Sequence, residues 1–192
     1  MAIAAKKFRV ATQMDNEHHA KEALRLQVEW IQAGAIGEVR EVHNYTNRPI
    51  WPQGMTNRPK SSSPPDSLDW DLWLGAAPYR DFHEGLHRFK WRGWWDFGTG
   101  ALGDMGCHNQ ALAYWALDLR DPVSLGAKHS GVNDETAPKW SIVTYQFPKT
   151  KTRGSVKLTW YDGGKRPAPA LVKEKQLPKN GSIIIGTKDT LY

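Results

Sequence analysis

The sequence predicts an α+β fold, with a mainly antiparallel, open sheet and helices on one of its faces. Two segments repeat apolar residues at three- and four-residue spacing, as amphipathic helices do. The last third of the chain holds short apolar or alternating runs separated by turn residues, without helical segments between them, which is typical of antiparallel strands. A chain of 192 residues is long enough to bury a core without disulfides or metal ions.

The first half of the chain predicts two strands, two helical segments and a long loop. Residues 10–14 fit a short strand, and residues 18–33 fit a helix that ends before Gly34. Residues 38–46 fit a second strand. The following stretch is rich in proline and serine and predicts a loop, because proline sustains neither a helix interior nor a central strand. A helical turn is expected near residues 67–73.

The second half begins with a predicted helix over residues 104–117. Asp104 is placed in its first turn, where a carboxylate meets the positive end of the helix dipole. Further strands are predicted at residues 140–147, 156–161, 182–185 and 190–192.

Composition and charge exclude several classes of protein. The formal net charge is +6, but the basic residues are scattered and show no nucleic-acid-binding signature. The single cysteine, Cys107, excludes an internal disulfide and a cysteine-based zinc site. No apolar run approaches the roughly 18 residues of a membrane span. Residues 1–10 are too short for a signal peptide, so a cytoplasmic location is favoured, and a periplasmic one stays open because an export signal would lie upstream of Met1.

Tryptophan is unusually abundant, with ten in the chain. Such a cluster fits either a core or the wall of a pocket for a polar, ring-shaped ligand, because the indole ring is apolar and carries one N–H donor. Half of the tryptophans fall in one central stretch, at Trp70, Trp73, Trp91, Trp94 and Trp95.

The run from Trp91 to His108 holds the strongest candidate site. Asp104 and His108 are four residues apart, which places both side chains on one face of a helix. A carboxylate beside an imidazole can orient the ring and favour a general base near neutral pH. The glycines before and between them would let a ligand approach the backbone. The same spacing also fits a structural pair on a surface helix, so both interpretations remain open.

A second polar cluster, residues 15–19, precedes the first long helix. Asp15 or Asn16 can serve as its N-cap, or the cluster can supply polar groups to a site. The adjacent His18 and His19 would face different directions on a helix, so no metal site is expected. The glycines at 98–100 lack a preceding strand and a third glycine, so they are not a dinucleotide fingerprint.

Taken together, the motifs resemble the Gfo/Idh/MocA oxidoreductases, a family that includes glucose-fructose oxidoreductase and inositol dehydrogenase. The run WRGWWDFGTGALGDMGCH from Trp91 to His108 carries the resemblance. Flanking runs resemble a bacterial subgroup of the family: TQM at 12–14, GAIGEV at 34–39, LDWDLWLG at 68–75 and KLTWYDGG at 157–164.

The resemblance implies a function and a site. Such proteins move hydride between NAD or NADP and a hydroxyl carbon of a sugar or polyol. His108 would exchange a proton with the substrate hydroxyl, and Asp104 would bind substrate hydroxyls or orient His108. Trp91 and Arg92 would lie beside the cofactor. The substrate-binding residues implied are His18, His19 and Trp95.

The resemblance also divides the chain. Residues 1–14 would be the end of a dinucleotide-binding domain, and residues 15–192 a substrate and oligomerisation domain truncated at its C-terminus. The chain is therefore expected to be inactive alone, to bind NAD or NADP weakly, and to form a homo-oligomer through its sheet face. Asp15 and His18 stand where subgroup members commonly have Gly and Asn. Two alternatives remain: an NAD-dependent glycoside hydrolase, and a non-enzymatic oligomerisation or carbohydrate-binding module.

Overall fold

The computed structural model describes residues 1–13, 15–172 and 176–192. The helices are α1 (Ala2–Phe8), α2 (Glu22–Gln32), α3 (Trp70–Leu74), α4 (Gly100–Asn109) and α5 (Ala111–Ala116). The strands are β1 (Val39–Tyr45), β2 (Ser124–His129), β3 (Ser141–Phe147), β4 (Val156–Tyr161), β5 (Gly181–Gly186) and β6 (Thr190–Leu191). Short 3₁₀ segments occupy Glu17–Ala20, Lys90–Gly93 and Pro169–Leu171.

All six strands form one open sheet in the order β2-β3-β4-β1-β5-β6. Four of the neighbouring pairs are antiparallel, and β1 runs parallel to β4. The predicted α+β class and the mainly antiparallel open sheet are therefore confirmed. The parallel pair is possible because the segment between β1 and β4, which includes α3 to α5 and strands β2 and β3, is long enough to bring the chain back to the end at which β1 starts.

One face of the sheet packs against α2 and α5. A row of three side chains crosses its centre, since Val42 lies opposite both Leu158 and Ile184, and all three are fully buried. Val28 of α2 and Ala113 of α5 belong to the same apolar cluster. Helices therefore cover one face of the sheet, as the apolar spacing predicts.

Several element boundaries differ from the sequence prediction. The helix expected over 18–33 is a 3₁₀ segment and α2, with Lys21 between them in extended conformation. The helix expected over 104–117 begins earlier, at Gly100, and is divided at Gln110 into α4 and α5. Asp104 therefore lies in the second turn of α4 rather than the first, so the expected dipole contact is wrong. Strand β2 was not anticipated.

The N-terminal segment differs most from expectation. Residues 2–8 form α1, which has no buried residue. Residues 10–13 are exposed and form no strand, and Met14, the last residue of the expected strand, lies outside the described residues.

Candidate functional site

The candidate site is built on α4 and the segment before it. Asn109, the last residue of α4, donates from Nδ2 to the carbonyl of Tyr45 in β1 at 2.8 Å. Its own carbonyl accepts a hydrogen bond from Ser182 Oγ of β5 at 2.8 Å. These two bonds fix the C-terminal end of α4 to the central strands, so the position of His108 is set by the sheet.

His108 is held by Asn16, a residue 92 positions earlier in the chain. Nδ1 of His108 lies 3.2 Å from Oδ1 of Asn16. Nδ2 of the same amide donates to the carbonyl of Cys107 at 2.8 Å. Asn16 does precede a 3₁₀ segment, but its side chain makes no capping hydrogen bond, so the capping interpretation of this residue is replaced by a contact with α4.

Asp104 pairs with Arg92 rather than with His108. Oδ1 of Asp104 accepts from Nε of Arg92 at 3.1 Å, and each side chain is about a quarter exposed, at 27% and 26%. The guanidinium of Arg92 also lies over the rings of Phe89 and Trp91, with centroid distances of 4.2 and 4.6 Å. Of the two roles considered for Asp104, orienting His108 is therefore not the one that this geometry supports.

The two adjacent histidines of the 3₁₀ segment pack against different helices, His18 against α4 and His19 against α5. The ring of His18 meets that of His108 edge to face, with centroids 5.1 Å apart. The ring of His19 stacks on Trp115 at 5.3 Å, with an angle of 7° between the planes. Burial lowers the pKa of His18, and the positive charges of Lys21 and protonated His108 lower it further. His18 therefore favours its neutral form beside His108.

Trp95 belongs to another part of the surface. Its indole Nε1 donates to the carbonyl of Asn133 at 3.0 Å, and its backbone N–H donates to the carbonyl of Glu135. The ring is 42% exposed. The structure thus brings His18 next to His108, and Arg92 next to Asp104, while Trp95 is joined to the loop before β3.

Two cavities flank the C-terminal turn of α4. One of about 250 Å³ is bounded by His108, with Gln27 of α2, Ser182 of β5 and the terminal Tyr192. The other, of about 380 Å³, has apolar walls that include Cys107 and Trp115. His108 therefore borders a cavity that has both polar and apolar walls.

The glycines of the motif serve the chain's own packing. A Cβ on Gly98 would lie 2.3 Å from the carbonyl oxygen of Arg92, and one on Gly100 would lie 2.4 Å from Cβ of Ala137. Gly100 also has a positive φ of 64°. The expectation that these glycines make room for a ligand gives way to close contacts that position Arg92 and begin α4.

A buried ion-pair cluster in the segment before α4 was not found from the sequence. Arg80 pairs with Asp96 and lies 3.6 Å from Glu135, while its own side chain is only 6% exposed. Its guanidinium lies between the rings of Trp94 and Phe97. Trp94 is fully buried, which makes it a core residue; of the two interpretations of the tryptophan cluster, the core applies here. No spacing rule connects positions 80, 96 and 135, so the sequence offered no signal.

Most of the chain matches a known protein family. Residues 34–153 match the Gfo/Idh/MocA family model described as "Oxidoreductase family, C-terminal alpha/beta domain". The match covers more than half of the 192 residues. The chain belongs to this family. The resemblance read from the motifs is thereby confirmed.

Similar solved structures include one with a TM-score above 0.5, which shows the same fold. The WlbA dehydrogenase from Bordetella pertussis, crystallised with NADH and UDP-GlcNAcA, aligns over 98% of this chain and 45% of its own, with 15% identity and a TM-score of 0.55. An oxidoreductase from Sinorhizobium meliloti aligns over 98% of this chain and 40% of its own, with 20% identity and a TM-score of 0.43. One from Thermotoga maritima aligns over 88% and 38%, with 17% identity and a TM-score of 0.45. The chain spans less than half the length of each.

No curated protein matches the chain. Within the described ranges, none of the helices has the length and apolar character needed to cross a membrane. The same ranges contain no group of three or more His, Cys, Asp or Glu side chains arranged to hold a metal ion.

Proposed function

We propose that this chain forms the substrate-binding and catalytic part of an NAD(P)-dependent oxidoreductase that acts on a hydroxyl group of a sugar or polyol. The observation that carries the proposal is the convergence of His18 and Asn16 on His108, which is 92 positions from Asn16 in the sequence and borders a cavity of about 250 Å³. Such a fixed imidazole beside a small cavity suits general acid–base catalysis.

The chemistry divides between the protein and the cofactor. Oxidation of a hydroxyl carbon releases a proton from oxygen and a hydride from carbon. The acceptor for the hydride would be supplied by bound NAD(P). His108 takes up the proton and returns it in the reverse direction, while Asp104, together with Arg92, offers hydrogen bonds to neighbouring hydroxyls.

The described residues fit only one edge of a cofactor site. Trp91 offers a ring face, but two nitrogens of Arg92 are already engaged, Nε with Asp104 and Nη1 with the carbonyl of Phe89 at 3.1 Å. The glycines at 98–100 follow a 3₁₀ segment and a loop rather than a strand, unlike a loop that cradles a pyrophosphate. We therefore place most of the NAD(P) contacts in a dinucleotide-binding domain, of which residues 1–14 are the end, and assign substrate binding and self-association to residues 15–192.

A binding experiment tests the substrate side first. A panel of sugars and polyols is added to the ¹⁵N-labelled chain, and the imidazole resonances of all histidines are followed. We expect His108 and His18 to shift with a ligand and the exposed His129 on β2 to stay unchanged. Calorimetry with NAD and NADP accompanies it, and micromolar binding of either would contradict the division of roles.

A turnover experiment tests the catalytic role. In a protein that joins these residues to a dinucleotide-binding domain, His108→Ala should lower kcat by about 10²–10⁴, the usual contribution of a general base. The control variant, His129→Ala, should retain full activity. Unchanged turnover in His108→Ala would refute the role of His108 as the proton acceptor.

We also propose that the chain self-associates through the sheet face opposite α2 and α5. That face holds a cavity of about 500 Å³ bounded by Lys128, Ile142, Thr144 and Tyr161. An open, partly apolar sheet face is commonly covered by a second copy in oligomers.

A further inference from the structure

We infer that Asn16 is a positioning residue that fixes the tautomer of His108, with the proton on Nδ1 and the lone pair on Nε2. The inference rests on the proposed function for its catalytic meaning, but the tautomer itself follows from two hydrogen bonds. Both involve the same amide group, and each constrains the other.

The orientation of the amide is set by Cys107. The atom 2.8 Å from the Cys107 carbonyl must be a donor, because a carbonyl oxygen only accepts. That atom is therefore Nδ2 of Asn16. The carbonyl is available because the last carbonyls of a helix have no partner within it, and Cys107 lies two residues before the end of α4.

The tautomer of His108 follows from this orientation. With Nδ2 turned to Cys107, the amide group presents Oδ1 to the imidazole, at 3.2 Å from Nδ1. An amide oxygen only accepts, so Nδ1 must carry a proton. Neutral His108 then has its lone pair on Nε2, which becomes the nitrogen that can take a proton from a hydroxyl.

This tautomer opposes the intrinsic preference of imidazole, which in water favours the proton on Nε2. Without Asn16, most neutral His108 would hold its lone pair on Nδ1, the nitrogen that faces residue 16. The positioning of His108 by Asn16 also does not depend on whether His108 is protonated. The imidazolium keeps its Nδ1–H, so the bond to Asn16 persists before and after proton transfer.

The segment that carries Asn16 is attached to the helices by its own contacts. His19 stacks on Trp115 of α5, and the exposed ion pair between Lys21 and Glu17, at 2.8 Å, lies within the segment itself. The stacking anchors the segment to α5 independently of His108.

The test is a long-range ¹H–¹⁵N correlation spectrum of the chain at about pH 8, above the ordinary pKa range of histidine. We expect His108 to show a protonated Nδ1 and an unprotonated Nε2. His83 and His129 provide internal references of the opposite tautomer, because each accepts at Nδ1 from a backbone N–H, of Gly85 and Gly131. A wild-type His108 protonated on Nε2 would overturn the inference.

Two variants separate positioning from simple packing. Asn16→Asp keeps an acceptor at Nδ1 and should retain the wild-type tautomer. Asn16→Leu fills the same space without an acceptor and should move the proton to Nε2 in most molecules. If the tautomer of His108 stays unchanged in a folded Asn16→Leu, the inference fails. Should that variant not fold, the wild-type spectrum still decides.

The outcome is independent of the proposed activity, because the spectra need neither cofactor nor substrate. If the tautomer is as expected but no joined two-domain protein oxidises a polyol, the proposed function alone fails. If turnover exists, Asn16→Leu should lower kcat by at least tenfold with a smaller change in KM, and Asn16→Asp should recover part of the loss.

Discussion

Gly98 lies so close to Arg92 that any side chain would displace the backbone of the residue that pairs with Asp104. A Cβ at this position would be 2.3 Å from the carbonyl oxygen of Arg92, and backbone cannot rotate away as a side-chain end can. We expect Gly98→Ala to lower the free energy of unfolding by about 1–3 kcal/mol, the usual cost of overpacking. Urea unfolding followed by tryptophan fluorescence measures it.

Gly126 supplies the matched control for this substitution. It lies in strand β2, and a Cβ there meets no atom within 4 Å. Gly126→Ala should therefore be neutral or slightly stabilising, because it only reduces the freedom of the unfolded chain. Equal losses in the two variants would show that Gly98 has no special contact with Arg92.

A second residue-scale prediction concerns His43 on the open sheet face. Burial lowers its pKa, and Lys157 adds to the effect, while Glu41, 3.3 Å from Nε2, opposes it. Because the folded pKa lies below the ordinary value of about 6.5, the unfolded chain binds the proton more readily as pH falls. Folding stability contributed by neutral His43 is thus present above that value and is lost below it.

The measurement is the free energy of unfolding at several pH values between about 7.5 and 5.5, around the ordinary histidine pKa. We expect wild type to lose stability over this interval and His43→Gln to lose less. The exposed His129→Gln should follow wild type. A residual slope from His83, whose pKa burial also lowers, is expected in every variant. Identical slopes in wild type and His43→Gln would contradict the prediction.

At the scale of elements, the ion pair between Arg80 and Asp96 joins two parts of the segment between α3 and α4, and Glu135 connects Arg80 to the loop before β3. Arg80 is 6% exposed, and Asp96 is 28% exposed. Removing one partner of a buried pair leaves the other charge without compensation, which costs about 3–5 kcal/mol. Because Glu135 still lies 3.6 Å away, we expect Asp96→Ala to cost about 3 kcal/mol, at the lower end of that range.

An exposed pair in the same chain serves as the reference. Arg120 and Asp118 are 79% and 74% exposed and approach to 2.8 Å. Asp118 has a positive φ of 44°, so the substitution is made at Arg120. Arg120→Ala should cost less than about 1 kcal/mol, as is usual for surface ion pairs. Urea midpoints compare the two variants, and a similar small shift for Asp96→Ala would show that Arg80 needs no charged partner.

The sequence predicted those helices and strands whose apolar residues recur with a regular local period. Alternating residues such as Val156, Leu158 and Trp160 predicted β4, because one face of that strand is buried. Strand β2 escaped notice because all six of its residues are exposed, which leaves no apolar alternation. The division between α4 and α5 at Gln110 could not be predicted either, because the apolar spacing continues from one helix into the next.

The candidate site was predictable in part for the same reason. Asp104 and His108 are four residues apart on one helix, so their spacing alone identified them as candidate site residues. Their hydrogen-bond partners lie elsewhere: Arg92 is 12 positions away from Asp104, and Asn16 is 92 away from His108. Contacts of that separation depend on how α2, α4 and the sheet pack, which no local pattern specifies.

At the scale of the whole molecule, the open sheet face determines whether the chain self-associates. Thr144 lies near the centre of that face, opposite Thr159 on β4, and lines the cavity there. A buried interface would leave an introduced arginine there without a partner charge, a cost of several kcal/mol. We therefore expect Thr144→Arg to weaken association by at least tenfold, about 1.4 kcal/mol.

Sedimentation velocity over a range of concentrations distinguishes this from a general effect of charge. Leu125 of β2 is 61% exposed and pairs with Tyr145, whose side chain packs on the helix-side core. Leu125→Arg thus adds the same charge on the opposite face and should associate as wild type does. A monomeric wild type at every concentration would refute self-association. Equal weakening of association by both variants would place the interface at the β2–β3 end of the sheet, which the two positions share, rather than on the open face.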